Sequence, residues 1–138
     1  MNRPAIFLDR DGVLNPMVLN PATGRMESPL APADFQLFDG VIPALRRLQN
    51  AGYLLILVSN QPNYALGKTS YETHKEIHQN LVHALVSAEI HFVRFSYCLH
   101  HPEASRPAIR MCANAASHRR VSFCRLGTIL VSPSPIPG

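Results

Sequence analysis

Phe7-Leu8-Asp9-Arg10-Asp11-Gly12-Val13-Leu14-Asn15 is the stretch on which the reading of this chain turns. With Ala5 and Ile6 ahead of it, it begins as an apolar run with the length of a short buried strand. It then delivers two carboxylates, two residues apart, directly before a glycine. Residues i and i+2 of a strand share a face, so Asp9 and Asp11 leave the sheet pointing the same way. In an open α/β sheet, the space beyond the carboxyl end of a strand is where ligands bind. Like charges held that close repel unless a cation or shared proton sits between them. Mg²⁺, which prefers carboxylate oxygens and accompanies phosphate, suits such a place. Taken alone, D-x-D-G reads equally well as a turn with Gly12 at positive φ and the aspartates capping it.

Outward from this motif the chain alternates strand and helix patterns. Residues 16–34, rich in Pro, Asn, Gly and Ser, read as a loop lying over the motif. Val41 to Asn50 carries apolar residues at 41, 44, 45 and 48, a helical spacing, with Pro43 in the first turn and Gly52 as a stop. Tyr53 to Val58 is continuously apolar, as expected of a central parallel strand covered on both faces. A second helix is predicted from Ser70 to about Ala88, with Ile77, Leu81, Leu85 and Val86 on one face, and a third strand over residues 92–97. This order predicts an α/β fold, a Rossmann-like parallel sheet with right-handed crossovers. His74, His78 and His83 have no acidic partner in the manner of H-E-x-x-H and read as surface residues.

At 138 residues the chain is one domain, small for a complete doubly wound enzyme. No run approaches the roughly 20 apolar residues of a membrane span. Met1-Asn2-Arg3-Pro4 leads straight into the first strand, so no signal peptide is expected. Three cysteines cannot all pair, and a reducing cytoplasm and a monomer are expected. The net charge of +4 invites a nucleic-acid reading. Residues 1–112, however, hold 10 Lys+Arg against 9 Asp+Glu, and the last 26 hold Arg119, Arg120 and Arg125 with no acid. The basic character belongs to the tail, no basic stripe with interleaved aromatics exists, and neither a nucleic-acid nor a membrane partner is expected.

Two further segments carry chemistry. The second strand ends in Ser59-Asn60-Gln61, three polar side chains at the same sheet edge as Asp9, although Ser-Asn after a strand is often only a turn. Gly67-Lys68 follows, where a solvated lysine is the ordinary expectation. Cys98-Leu99-His100-His101-Pro102-Glu103, with Cys112 12 residues past His100, has the ligand types that wrap a loop around tetrahedral Zn²⁺. Two cysteines alone would read as small buried hydrophobes.

The nine-residue opening string resembles the first motif of the haloacid dehalogenase-like (HAD) phosphatase superfamily. Its D-R-D-G-V-L-N is similar to the branch of heptose bisphosphate and histidinol phosphatases. Ser59-Asn60 then resembles the second HAD motif, Gly67-Lys68 the heptose branch, and Y-C-x-H-H-P-E that branch's zinc loop. The resemblance covers residues 4–112. It implies a phosphatase without a large cap, hydrolysing a phosphomonoester of a small metabolite, such as D-glycero-D-manno-heptose 1,7-bisphosphate. It further implies Asp9 as a nucleophile forming an aspartyl phosphate, Asp11 as acid and base, and Ser59 as a donor to the phosphoryl group. Mg²⁺ would be held by Asp9 and the backbone of Asp11. Arg10, Asn60, Gln61 and Lys68 would face the substrate, and Cys98, His100 and Cys112 would hold a structural Zn²⁺. Histidinol phosphate is the alternative substrate. A zinc-binding pseudo-phosphatase fragment without activity is the alternative of another class.

The chain departs from the family after Cys112. The family continues C-x-C-R-K-P-x-P-G, whose second cysteine is a zinc ligand and whose lysine is the third catalytic motif. Here Ala113-Asn114 follows instead, leaving three zinc ligands and a weak or lost site. Codons GCG AAT GCC GCA AGC CAT CGC CGG would encode residues 113–120 as they stand. Read from the third base onward into Val121, they give Glu-Cys-Arg-Lys-Pro-Ser-Pro-Gly, the missing motif in order. The expectation is therefore a partial HAD-like domain over 1–112, C-terminally incomplete. Residues 113–138 would be an out-of-frame tail, without the catalytic lysine and late acidic metal ligands, and disordered.

Overall fold

A computed structural model describes residues 2–101, 103 and 104; the expectations for Cys112 and residues 113–138 lie outside them. Strand β1 (Ala5–Leu8) is followed by a hairpin of β2 (Val18–Asn20) and β3 (Arg25–Glu27), then a 3-10 turn (Pro32–Asp34). Helix α1 (Val41–Asn50), β4 (Leu54–Asn60), a one-turn helix α2 (Pro62–Ala65), α3 (Tyr71–Ser87) and β5 (Phe92–Cys98) complete the order. The three predicted strands form one parallel sheet in the order β1-β4-β5. Register pairs Leu8 with Leu57, and Leu57 with Phe95, so the polar ends of β1 and β4 emerge at one edge. Among the described residues no helix is long and apolar enough to cross a membrane.

The helices form where the periodicity predicts. Gly40, at φ 82°, turns the chain into α1, a conformation that costs a side-chain-bearing residue about 1–2 kcal/mol. The Ser70 hydroxyl accepts the Thr73 N–H at 3.0 Å and caps α3. From α1, Leu45 is buried, and from α3 so are Ile77, Leu81 and Leu85. Leu45, Leu81 and Leu85 close over Leu55 and Leu57 of β4, both fully buried, and over Phe95 and Tyr97 of β5. Each such side chain removed from water contributes about 1.5–3 kcal/mol.

Three expectations need correction. Among the described residues the sheet is packed on one face: β4 alternates buried and accessible positions, and Phe7, Val58 and Val93 are 63%, 37% and 50% exposed. Helices α1 and α3 pack on the face carrying Leu55 and Leu57, and no described element shields the other. His74 and His78 are buried, not superficial. They stand four residues apart, on the stripe with Ile77, Leu81 and Leu85, so the helix phase carries them onto the sheet. Val86 lies off that stripe and is exposed.

The loop over the first strand contains the β2–β3 hairpin, whose three-residue strands are too short for a periodic signal. The Asn20 carbonyl accepts the Gly24 N–H at 2.8 Å and its side-chain oxygen accepts the Ala22 N–H at 3.0 Å. Gly24 supplies the positive φ that closes the turn.

The difference between the sheet faces predicts unequal mutational costs. Leu57→Ala should lower the unfolding free energy by about 2–5 kcal/mol. Val58→Thr, one residue on but facing out, should change it by no more than about 0.5 kcal/mol. Denaturant unfolding followed by circular dichroism measures both.

Candidate active site

Beyond Leu8 the backbone reverses in a tight loop: the Arg10 carbonyl accepts the Leu14 N–H at 2.8 Å, and the Asn15 carbonyl accepts the Gly12 N–H at 2.7 Å. Gly12 sits at φ 81°, the left-handed conformation that glycine alone adopts freely. This turn separates the two carboxylates. Asp9 is exposed at the end of β1, its Oδ1 accepting its neighbour's backbone N–H, that of Arg10, at 2.7 Å. Asp11 is turned inward and its side chain is 9% exposed.

Five donors converge on the Asp11 carboxylate. Oδ1 accepts from Asn15 Nδ2 at 3.0 Å and Arg10 Nε at 3.2 Å. Oδ2 accepts from the Ser28 hydroxyl at 2.8 Å, from Arg10 Nη2 at 3.3 Å, and from Gln61 Nε2. Burial alone would raise the pKa of this group. The Arg10 charge and the bonds from Asn15, Gln61 and Ser28 outweigh it and hold the carboxyl below its ordinary range.

Ser59, nearly buried at the end of β4, accepts the second proton of the Gln61 amide at 3.0 Å. Gln61 is pinned by its own N–H, which donates to the Cys98 carbonyl at 2.7 Å. Asp11, Ser59, Gln61 and Arg10 therefore meet in one bonded cluster, with Asp9 exposed beside it. Arg10 is fully buried, its guanidinium held by Asp11 and Gln61. Asn60 is exposed at the same sheet end. Lys68 makes a 2.7 Å ion pair with Glu27 at the end of the hairpin.

Three participants were not singled out from sequence: Asn15, Ser28 and Glu27. Asn15 closes the quoted motif, and its buried amide bridges Asp11 and the Pro16 carbonyl. Glu27 ends the hairpin and Ser28 follows it, and only the tertiary structure reveals that Ser28 reaches Asp11. Glu27 also accepts from Thr23 at 2.8 Å and Asn20 at 3.2 Å, which ties the two strands and the turn of the hairpin together.

The donor set of this edge suits Mg²⁺ in part: the Asp9 carboxylate is accessible and hard, whereas the Asp11 side chain is consumed by its five donors. Asp11 would thus contribute its main-chain carbonyl. For zinc, Cys98 Sγ and His100 Nδ1 lie 3.5 Å apart, while Cys112 is outside the described residues. Among those described, no three His, Cys, Asp or Glu side chains gather as a metal site.

No family model matches the chain. Among curated proteins it is 39% identical over 103 residues to the D-glycero-beta-D-manno-heptose-1,7-bisphosphate 7-phosphatase of Vibrio cholerae, covering 75% of this chain and 51% of that protein. The enzyme of the same name from Escherichia coli K12 is 33% identical over 102 residues, 74% of this chain and 49% of its own. The chain thus spans about half the length of the curated relatives it matches. Among solved structures, a candidate HAD-like phosphatase from Mesorhizobium loti superposes with a TM-score of 0.64 at 24% identity, over 78% of this chain and 47% of its own. The D,D-heptose 1,7-bisphosphate phosphatase from B. bronchiseptica, complexed with magnesium and phosphate, gives 0.60 at 23%, over 82% and 64%. The parallel α/β fold is that of the HAD-like phosphatases.

The buried histidines behind the cluster make stability depend on pH. Burial first, and then the Arg10 charge, push His74 and His78 down to about 4. A histidine with a lowered folded-state pKa contributes stability above its unfolded value, near 6.5, and loses it as pH falls toward the folded one. Unfolding free energy should therefore decline between pH 6.5 and about 4. Denaturant titrations across that range should show this part of the slope vanish in a His74→Gln/His78→Gln double variant.

Proposed function

We propose that this chain, a homologue of the heptose-bisphosphate phosphatases over its matched residues, carries the nucleophile-bearing half of a Mg²⁺-dependent phosphomonoester hydrolase acting on a sugar bisphosphate. One observation carries the reading: two carboxylates, two residues apart at the end of a parallel strand, lie in opposite environments. Asp9 is exposed, and Asp11 is enclosed by donors. Pairs of titratable groups whose surroundings differ in this way take different chemical roles.

An Asp9 oxygen attacks phosphorus while the bond to the leaving oxygen breaks, and the departing oxygen takes a proton from Asp11. A water molecule, losing a proton to Asp11, then attacks phosphorus and releases inorganic phosphate from Asp9. Mg²⁺, held by the Asp9 carboxylate and the Asp11 carbonyl, would supply positive charge that lets an anionic nucleophile approach the phosphate. Gln61 donates to the Ser59 oxygen, so the hydroxyl proton of Ser59 is free to bond a phosphoryl oxygen. As held here, Asp11 is in the anionic form that suits the second step. To donate in the first it must gain a proton, which release of the Ser28 bond would favour.

The reading of residues 113–138 as shifted out of frame belongs to this proposal. The Cys-Arg-Lys-Pro text it recovers holds the lysine whose charge stabilises the transferring group. The test is Mg²⁺-dependent phosphate release from heptose 1,7-bisphosphate, by the chain as it stands and by a form with the frame shifted after codon 112. The present chain should be slower by about 10² to 10³, and Asp9→Asn should silence the restored form. Equal rates for the two forms would contradict the frame argument, and an active Asp9→Asn variant the assigned nucleophile.

A further inference from the structure

Arg10 stands between two carboxylate-bearing positions, yet it is 0% exposed. A buried guanidinium is costly unless it is paired and hydrogen-bonded, so what it bonds to indicates its role. Its Nε and Nη2 reach the two oxygens of Asp11 at 3.2 and 3.3 Å, and Nη2 also donates to Gln61 Oε1 at 2.7 Å. Behind it lies the ring of Tyr97, with Cζ 5.9 Å from the centroid. That ring is backed by His74, edge-on at 4.7 Å, and its hydroxyl is 2.9 Å from His78 Nδ1. Nη1 has no partner among the described residues.

We propose that Arg10 is a positioning residue that acts through Gln61 and does not touch substrate. A guanidinium only donates. Gln61 must therefore present its oxygen to Arg10, and its amide nitrogen is left pointing outward, where it donates to both Asp11 and Ser59. Arg10 thus fixes which way the Gln61 amide faces. Through that amide it links the end of β1 to the end of β4, setting the acid–base carboxylate and the phosphate-facing hydroxyl relative to each other. A lysine could not replace it, because one ammonium cannot reach both Asp11 oxygens and Gln61 from a planar fork. The Tyr97, His74 and His78 rings form the floor that keeps the guanidinium from withdrawing. The kinetic part of this inference rests on the phosphatase reading above; the structural part does not.

The test is nuclear magnetic resonance of the full chain, following the Gln61 side-chain amide and the Arg10 guanidinium. In the unaltered protein the Gln61 amide protons should be shifted from solvent values and exchange slowly, and rotation of the Arg10 guanidinium should be hindered. In Arg10→Met, with the Leu57 and Leu81 methyl signals unmoved, the Gln61 amide should move to solvent-like positions. A Gln61 amide unchanged in the folded variant would overturn the proposal. So would a freely rotating Arg10 guanidinium in the unaltered protein, a measurement that stands even if Arg10→Met does not fold. In the active, frame-restored form, Arg10→Met should lower kcat by about 10²-fold with KM nearly constant. A rise in KM alone would make Arg10 a substrate-binding residue and contradict the inference. Absence of turnover in the unaltered form would count against the phosphatase reading only, since the resonance measurements decide the positioning role without it.

Discussion

The contact on which the site depends is the buried pairing of Arg10 with Asp11. Consecutive residues in a strand point to opposite faces, so a D-R-D sequence would ordinarily send the arginine one way and both carboxylates the other. The turn at Gly12 breaks that alternation and folds the second carboxylate back over the guanidinium. Removing one partner of such a buried pair generally costs about 3–5 kcal/mol, because the other is left charged and unpaired. The pair is therefore expensive to lose, and Asn15, Ser28 and Gln61 are arranged around it.

From that pairing follows the division between the carboxylates. Asp9, one residue earlier, shares none of these donors beyond its neighbour's backbone N–H, and stays open to solvent. Asp11 is bound on every side, including by Ser28 just past the hairpin, which Lys68 and Glu27 clamp in place. The segment after β3 is joined to the Asp11 carboxylate through one hydroxyl, that of Ser28. Among the described residues the sheet is packed unevenly. Its helix-covered face is a packed core, while Phe7, Val58 and Val93 lie open on the other. Parallel sheets are ordinarily covered on both sides.

Much of this could be read from the sequence because its signals were local. The three strands and two long helices follow from apolar runs, helical spacing and the Gly and Pro stops, and the register brings the ends of β1 and β4 to one edge, where the carboxylate linked to Ser59 through Gln61 is Asp11 and not the expected Asp9. What could not be read depended on distant partners. The same helix phase that buries Ile77 and Leu81 also buries His74 and His78, but their polarity argued for the surface until Tyr97 and Phe95 were seen against them. Nothing local in the sequence announces that Arg10 is bonded to Gln61, 51 residues away, or that Lys68 is paired with Glu27, 41 residues away. Ser28 gave no signal at all, since a serine after a short hairpin is unremarkable until it is folded against Asp11.

The proposed function assigns a phosphoryl group to Asp9 and not to Asp11. Rapid quenching after mixing with radiolabelled sugar bisphosphate, followed by borohydride reduction and peptide mapping, would locate an acyl phosphate by the homoserine left in its place. Homoserine at position 9 is the predicted result. Reduction at position 11, or turnover with no labelled carboxylate on the protein, would contradict it.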